Sequence, residues 1–307
     1  MATSLHPAAE PLPSASIEAW RSWIRDLICA GQFTGRIWSW VCVRERYFLK
    51  IPRVSDGQLE TALSDGAKEA AREYQLTQSL AERLESMIDA PLRVIDGCIV
   101  KRRLSGPDLW ALAKQEGATP RVQKAIIHGV VLAARLHRLN PAALPDLAVH
   151  DYANDPYLPA PEELHDRLSQ RPRTIVLGGL DVRNFKQDRA DGRWLFFDPH
   201  TAVLGAPEDD FTRYILSLLM INWGRHADCR IWTRFDLHQL LRVYEEARGA
   251  SLDHSLLTYM FERNMVRVRS DVRTFGDWSR FMRRVAARAY EEVFFWQIRR
   301  WGGHYGL

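Results

Sequence analysis

The chain contains two neighbouring segments, Leu177-Gly-Gly-Leu-Asp-Val-Arg-Asn-Phe185 and Trp194-Leu-Phe-Phe-Asp-Pro-His200, in which polar residues follow short apolar runs. Such runs are typical of short buried strands. Asp181 and Asn184 alone are also compatible with simple turns, because both residue types bond their own backbone. Asp198, however, ends the buried run Leu195-Phe-Phe197, and an acid in that position favours a functional site.

Composition limits the classes of protein to which the chain can belong. It has 307 residues, 46% of them hydrophobic, which is enough for one two-lobed domain or two ordinary ones. The sequence lacks the long apolar run of a membrane span, so we expect a cytoplasmic protein. The four cysteines are scattered, which argues against a disulfide framework or a structural zinc site. The net charge of +4 is too small to indicate nucleic acid as a partner.

Towards the N-terminus the pattern predicts a sheet with helices. Residues 1–16 read as a loose leader, and 17–104 as an N-terminal lobe. The predicted elements are a helix at 17–28, strands at 36–43 and 47–51, a helix at 66–84, and a hairpin of 91–95 with 98–102. Lys50 lies on the second of these strands.

After Ser105-Gly106-Pro107 the pattern becomes mostly helical, and residues 105–307 form the predicted C-terminal lobe. Its clearest helix covers 122–139, and the chain from 209 onwards is almost entirely helical in pattern. Residues 140–172 are rich in Pro, Asp and His and read as an irregular excursion with a short helix near 161–169. We therefore expect a two-lobed α+β protein.

Phosphoryl transfer requires neutralised charge, magnesium held by oxygen ligands and an oriented nucleophile. The chain offers, in order, Lys50 on a strand, Glu73 on the next helix, Asn184 in a loop, and Asp198 after a strand. This order and spacing resemble the protein-kinase plan. The resemblance implies a protein-kinase-like fold with ATP and Mg²⁺ as cofactors, with Lys50 and Glu73 at the nucleotide phosphates and Asn184 and Asp198 as nucleotide-site residues that hold the metal.

Within that superfamily, the two segments quoted above and Asp209-Asp210-Phe-Thr-Arg-Tyr-Ile-Leu-Ser-Leu-Leu219 are most similar to the bacterial lipopolysaccharide core kinases, which phosphorylate heptose or Kdo sugars. The resemblance covers roughly residues 31–246. It implies transfer to a sugar hydroxyl of lipopolysaccharide or another envelope glycan. It also implies that Asp210 anchors the catalytic loop through backbone hydrogen bonds.

The catalytic loop departs from this family pattern. The position of the usual catalytic Asp, five residues before Asn184, is Gly179, and Leu177 stands where a His is expected. Asp181 is therefore the candidate catalytic residue, acting as base or as orienter of the acceptor hydroxyl. The alternative is a pseudokinase that binds a nucleotide or a partner without catalysis.

Simpler interpretations exist for two of the other residues. Lys50 also fits an edge-strand lysine that keeps a hairpin soluble. Glu73 also fits a solvated helix residue, and Glu69 lies one turn away on the same face.

The interval between Asp198 and Asp209 is too short for the long segment on which protein kinases dock a peptide. We therefore expect a small-molecule or glycan acceptor, and a soluble metabolite or antibiotic, as for aminoglycoside phosphotransferases, is the alternative to an envelope glycan. Arginines interleave with aromatic residues over 281–301. That pattern fits either peripheral contact with the inner face of the membrane or packing against the larger lobe.

Overall fold

The computed structural model describes residues 10–36, 39–53, 59–84, 87–117, 119–144, 147–199, 201–223, 237–273, 281 and 285. The chain divides into two compact units. The sheet unit comprises residues 1–106 with 188–200, and the helical unit comprises 107–187 with 201–307.

The sheet unit is built on an antiparallel sheet in the order β1-β2-β3-β5-β4. Its strands are β1 (Thr34–Gly35), β2 (Ser39–Val43), β3 (Tyr47–Pro52), β4 (Pro91–Ile95) and β5 (Cys98–Arg102). Its helices are α1 (Ile17–Cys29), α2 (Leu59–Asp65) and α3 (Ala67–Arg83). The later strand β8 (Trp194–Phe196) also belongs to this unit.

Side chains alternate between the two faces of the sheet along β3, and Lys50 lies on the face away from the apolar core. Leu49 and Ile51 are fully buried in an apolar cluster with Trp20 and Trp23 of α1, and the side chain between them emerges on the other face of the sheet. Lys50 pairs with Val41 on one side and Ile99 on the other. It is therefore a lysine of a central strand, and the edge-strand interpretation is wrong.

The predicted leader covers residues 1–16, of which 1–9 lie outside the described residues. Glu10 accepts hydrogen bonds from the backbone N–H groups of Glu45 (2.7 Å) and Arg46 (3.0 Å) in the turn between β2 and β3. The Tyr47 hydroxyl donates to the carbonyl of Pro11 at 2.8 Å. The segment that precedes α1 is thus attached to the sheet from Glu10 onwards.

The helical unit contains α4 (Leu109–Glu116), α5 (Pro120–Leu136), α6 (Glu162–Gln170), α7 (Pro207–Trp223), α8 (Leu237–Arg248) and α9 (His254–Arg273). Its strands are β6 (Thr174–Val176), β7 (Phe185–Gln187) and β9 (Val203–Gly205), and short 3₁₀ turns lie at Pro141–Ala143 and Val182–Asn184. Strands β6 and β9 pair antiparallel, and Val149 of the excursion bridges to Leu204. The excursion thus extends this small sheet.

Close packing of α5 on α7 supports the small sheet. A Cβ added to Gly129 of α5 would lie 2.3 Å from the Tyr214 hydroxyl oxygen, and that hydroxyl donates to the carbonyl of Ile126 at 3.0 Å. Only glycine permits this approach of the tyrosine ring.

The predicted α+β class, with a sheet lobe and a helical lobe, is confirmed. The basic aromatic helix predicted at 281–301 lies outside the described residues, apart from Phe281 and Val285. The searched helices, all within the described ranges, are too short or too polar to cross a membrane. The exact domain limits at 16 and 104 stay predictions.

Candidate active site

Lys50 is held between two carboxylates of the sheet unit. Its Nζ lies 2.9 Å from Glu73 Oε1 and 2.7 Å from Asp198 Oδ1. The Lys50 and Glu73 side chains are almost fully buried, whereas the Asp198 side chain is 26% exposed. Glu69, the alternative on α3, instead lies 3.7 Å from Arg72. The three residues that the sequence assigned to the nucleotide phosphates and metal in this unit therefore meet at one point.

Burial of Lys50 disfavours its charged form, but the charges and hydrogen bonds of Asp198 and Glu73 more than compensate. They raise the pKa of Lys50 above its ordinary value. The lysine is consequently a permanent cation at neutral pH.

Backbone contacts fix the chain just before Asp198. In β8, Phe196 donates its N–H to the carbonyl of Met87 (2.9 Å) and accepts from the N–H of Asp89 (2.8 Å). Lys101, which is only 2% exposed, donates from Nζ to the carbonyl of Phe197 at 2.5 Å. Sequence reasoning missed Lys101, and the available signal was a second strand lysine in a chain with few lysines.

The predicted catalytic loop, Leu177–Phe185 of the helical unit, is attached to α7 through its backbone. Asp210 accepts from the N–H groups of Leu177 (2.7 Å) and Gly178 (2.9 Å). Both groups are buried, and an unpaired buried N–H is costly, so Asp210 fixes the start of the loop. His137 Nε2 lies 3.3 Å from the same carboxylate.

The loop then turns through Gly178, whose φ of +61° is a conformation that favours glycine. The Asn184 amide nitrogen donates to the carbonyl of Gly179 at 3.0 Å, and Thr201 donates to the carbonyl of Leu177. This contact leaves the Asn184 side-chain oxygen available as a ligand.

Asp181 lies in a buried ion pair within the loop. Its carboxylate accepts from the Arg183 backbone N–H (2.9 Å), Nε (2.9 Å) and Nη2 (2.7 Å), and Arg213 Nη2 lies 3.6 Å away. Burial alone would raise the pKa of Asp181, but the two arginines hold it at about 2. Asp181 is therefore fully ionised at neutral pH and strongly bound to its neighbours.

The side-chain oxygens of Asp198 and Asn184 are of the kind that magnesium binds. Asp198 offers a partly exposed carboxylate and Asn184 an amide oxygen, and Mg²⁺ in phosphotransferases takes one or two such protein ligands plus substrate phosphates. Among the described residues, no group of three or more His, Cys, Asp or Glu is placed to hold a metal alone. Asn184 belongs to the helical unit and Asp198 to the sheet unit, and their joint role as metal ligands stays a prediction.

No protein-family model and no curated protein matches the sequence. Solved structures do match the fold. Aminoglycoside phosphotransferase APH(3'')-Id from Streptomyces rimosus superposes with a TM-score of 0.52 at 15% identity, over 81% of this chain and 98% of that one. Macrolide 2'-phosphotransferase type I gives 0.51 at 16% identity, over 88% of this chain and 96% of that one. The GDP complex of aminoglycoside 2'-phosphotransferase-IIIa gives 0.52 at 12% identity, over 91% and 99%.

These neighbours belong to the protein-kinase-like superfamily. They are aminoglycoside and macrolide phosphotransferases, so the narrower similarity to lipopolysaccharide core kinases stays a prediction. At identities of 12–16% the superpositions establish the architecture. The chain has the protein-kinase-like fold.

Proposed function

We propose that this protein is a phosphotransferase that moves the γ-phosphoryl group of ATP to a hydroxyl group of a small molecule. The observation that carries the proposal is the buried lysine of β3 between Glu73 and Asp198. Burying one cation together with two acids is costly. A site for nucleotide phosphates explains why these three charges converge there.

Each residue then has a defined task. Glu73 orients Lys50, whose ammonium group neutralises phosphate oxygens of the nucleotide. Asp198 and Asn184 are the proposed ligands of Mg²⁺, which would supply neutralisation of charge on the transferred group. Asp210 keeps the catalytic loop in position through the amides of Leu177 and Gly178.

The class of acceptor is proposed from one solved neighbour. One solved neighbour is a complex with ADP and streptomycin, and it has a TM-score of 0.51 at 14% identity. A small polyhydroxylated acceptor of the antibiotic or metabolite type agrees with this neighbour. Transfer to lipopolysaccharide or another envelope glycan rests on the sequence resemblance. Peripheral membrane contact rests on the arginine and aromatic pattern of 281–301, and a cytoplasmic location on the lack of a long apolar run.

A second candidate function is a pseudokinase, and the contacts of Asp181 favour it. General-base catalysis by Asp181 would require Arg183 to release a carboxylate that is only 3% exposed. Position 179, where the resemblance places the catalytic Asp, is glycine. In this alternative the protein binds a nucleotide and transfers no phosphate.

Turnover of ATP by the purified protein separates the two functions. The assay measures ADP release with Mg²⁺ and a panel of acceptors that includes streptomycin, a macrolide and heptose- or Kdo-containing glycans. Asp198→Asn and Lys50→Met serve as inactive references. ADP release above these references with any acceptor supports the enzyme. Saturable ATP binding without release supports the pseudokinase, and the absence of both overturns the nucleotide site.

A further inference from the structure

A cleft of about 230 Å³ opens on the helical unit, where the excursion lies against β6 and β9. Its polar lining includes His150, Asp151, His165, Arg171 and Arg173. The volume is below the roughly 300 to 1,000 Å³ of pockets for drug-sized ligands, so the cleft suits a small metabolite.

The cleft is separate from the catalytic loop. Strand pairing sets Thr174 opposite Gly205 and Val176 opposite Val203, so the catalytic loop leaves β6 at the end near Val203. The cleft is lined by Leu204, opposite Ile175, and by Gly205, opposite Thr174. At 3.3 Å per residue, these two positions lie about 7 to 10 Å along the strand from the start of the loop at Leu177.

Its lining is rich in hydrogen-bond donors. Two arginines and one aspartate line it; Arg171 is ion-paired with the buried Glu208, and Arg173 forms no ion pair with any described residue. Asp151 is already occupied, because its carboxylate accepts from Asn154 Nδ2 (2.8 Å) and from the N–H of Ala153 (3.1 Å). The excess of donors over free acceptors favours an anionic ligand.

The two arginines retain unused hydrogen-bonding capacity. Arg171 contacts Glu208 and the carbonyl of Ser251 through Nη2, but its Nε is buried and has no hydrogen-bond partner within the described ranges. Arg173 is exposed and forms no ion pair with any described residue. A buried donor without a partner is costly, and an oxyanion in the cleft would satisfy such a donor.

A buried network makes the floor of the cleft rigid. His150 Nε2 lies 2.8 Å from Asp155 Oδ2, and Arg263 donates to Asp155 at 2.7 Å and to Asp209 at 2.9 Å. His165 Nε2 donates to the carbonyl of Ala160 at 2.9 Å, which leaves its Nδ1 uncommitted. Both imidazole rings are thus positioned before any ligand arrives.

We propose that this cleft is a second binding site, which takes a small metabolite carrying an oxyanion, either phosphate or carboxylate, at Arg171 and Arg173. The proposal is independent of the phosphotransferase activity, since it concerns binding without nucleotide. His150, His165 and Asp151, whose carboxylate already accepts hydrogen bonds, border the uncharged part of the ligand.

Calorimetric titration of the full chain with glucose 6-phosphate, glucuronate, inorganic phosphate and glucose tests the proposal. We expect saturable binding of at least one oxyanion probe and none of glucose; the stronger probe identifies the anionic group. Arg173→Gln should weaken that binding about tenfold, because a charge-assisted hydrogen bond is lost. The matched control Arg189→Gln removes an equally exposed arginine outside the cleft and should leave the affinity unchanged.

Lys50→Met distinguishes the cleft from the nucleotide site. If Lys50→Met abolishes anion binding while Arg173→Gln preserves it, the anion occupies the nucleotide site and the proposal is wrong. Absence of saturable binding by the wild-type protein up to about 10 mM of every oxyanion probe would also overturn it. Hydrogen exchange should show ligand-dependent protection of 148–153 and 171–173, and protection confined to other segments would contradict the assignment.

Discussion

Lys50 Nζ lies 2.7 Å from Asp198 Oδ1, although the two residues are 148 positions apart in the sequence. Glu73 completes the arrangement at 2.9 Å from the same ammonium group. A single lysine thus bridges the two acids of this cluster.

Lys50→Met should destabilise the protein by about 3 kcal/mol, because it leaves the carboxylate of Glu73 buried without its cation. It should also abolish measurable ATP binding. Chemical denaturation and nucleotide titration measure the two effects. Lys68→Met, an exposed lysine on α3, is the matched control and should change stability by less than about 0.5 kcal/mol. Equal effects of the two substitutions would contradict the role of Lys50.

Glu73→Gln should weaken ATP binding about tenfold, since the amide keeps the shape but loses the charge that orients Lys50. Glu69→Gln on the same helix should have no effect, because Glu69 is half exposed and contacts only Arg72 among the ion pairs described. Titration with a fluorescent ATP analogue compares the two variants. A larger loss for Glu69→Gln would reassign the partner of the lysine.

Asp181 should contribute about 2 kcal/mol of stability, from the fall of its pKa from 3.8 in the unfolded chain to about 2 in the folded protein. A lowered folded-state pKa stabilises above the unfolded value, so this contribution is complete above about pH 4 and disappears as pH falls towards 2. Urea denaturation across this range should therefore show a steeper acid loss for wild type than for Asp181→Asn. Parallel curves would mean that the pKa is not lowered.

Gly179→Asp should restore a carboxylate at the position of the usual catalytic Asp. A Cβ there would lie 3.3 Å from Thr201 Oγ1, so a side chain fits after a small adjustment. If the wild type lacks a base, ADP release should rise about 100-fold, a typical gain from general-base catalysis. If the wild type already releases ADP, an unchanged rate would show that another group, such as Asp181, serves as the base.

Gly178→Asp is the matched control for this substitution. Gly178 has a φ of +61°, so a side chain strains the backbone by about 1 kcal/mol or more. Thermal unfolding should therefore rank Gly178→Asp below Gly179→Asp. The opposite order would contradict the loop geometry.

Gly129→Ala should destabilise the protein by about 2 to 3 kcal/mol, because the added methyl group would overlap the ring of Tyr214. Combining it with Tyr214→Ala should give a much smaller loss than the sum of the two single substitutions, since the overlap is then absent. Denaturant unfolding of all four proteins measures the coupling. Additive losses would mean that α5 and α7 do not approach this closely.

Local sequence pattern determined the elements and their order. The alternation around Lys50, the Asp-Gly turn between β4 and β5, and the apolar runs before Asp181 and Asp198 predicted strands and turns that the structure contains, because each signal depends on residues close in sequence. The protein-kinase-like fold was implied by the resemblance of the order of Lys50, Glu73, Asn184 and Asp198 to the protein-kinase plan.

Only the tertiary structure decided which charges meet. It selected Glu73 over Glu69, showed β3 to be a central strand, and placed Arg183 and Arg213 on Asp181. It also revealed the hydrogen bond from Lys101 to the Phe197 carbonyl and the cleft that Arg171 lines. Apart from that of Arg183, which is two residues from Asp181, these contacts join residues distant in sequence. Burial sets the strength of all these charges, so spacing along the chain cannot specify them.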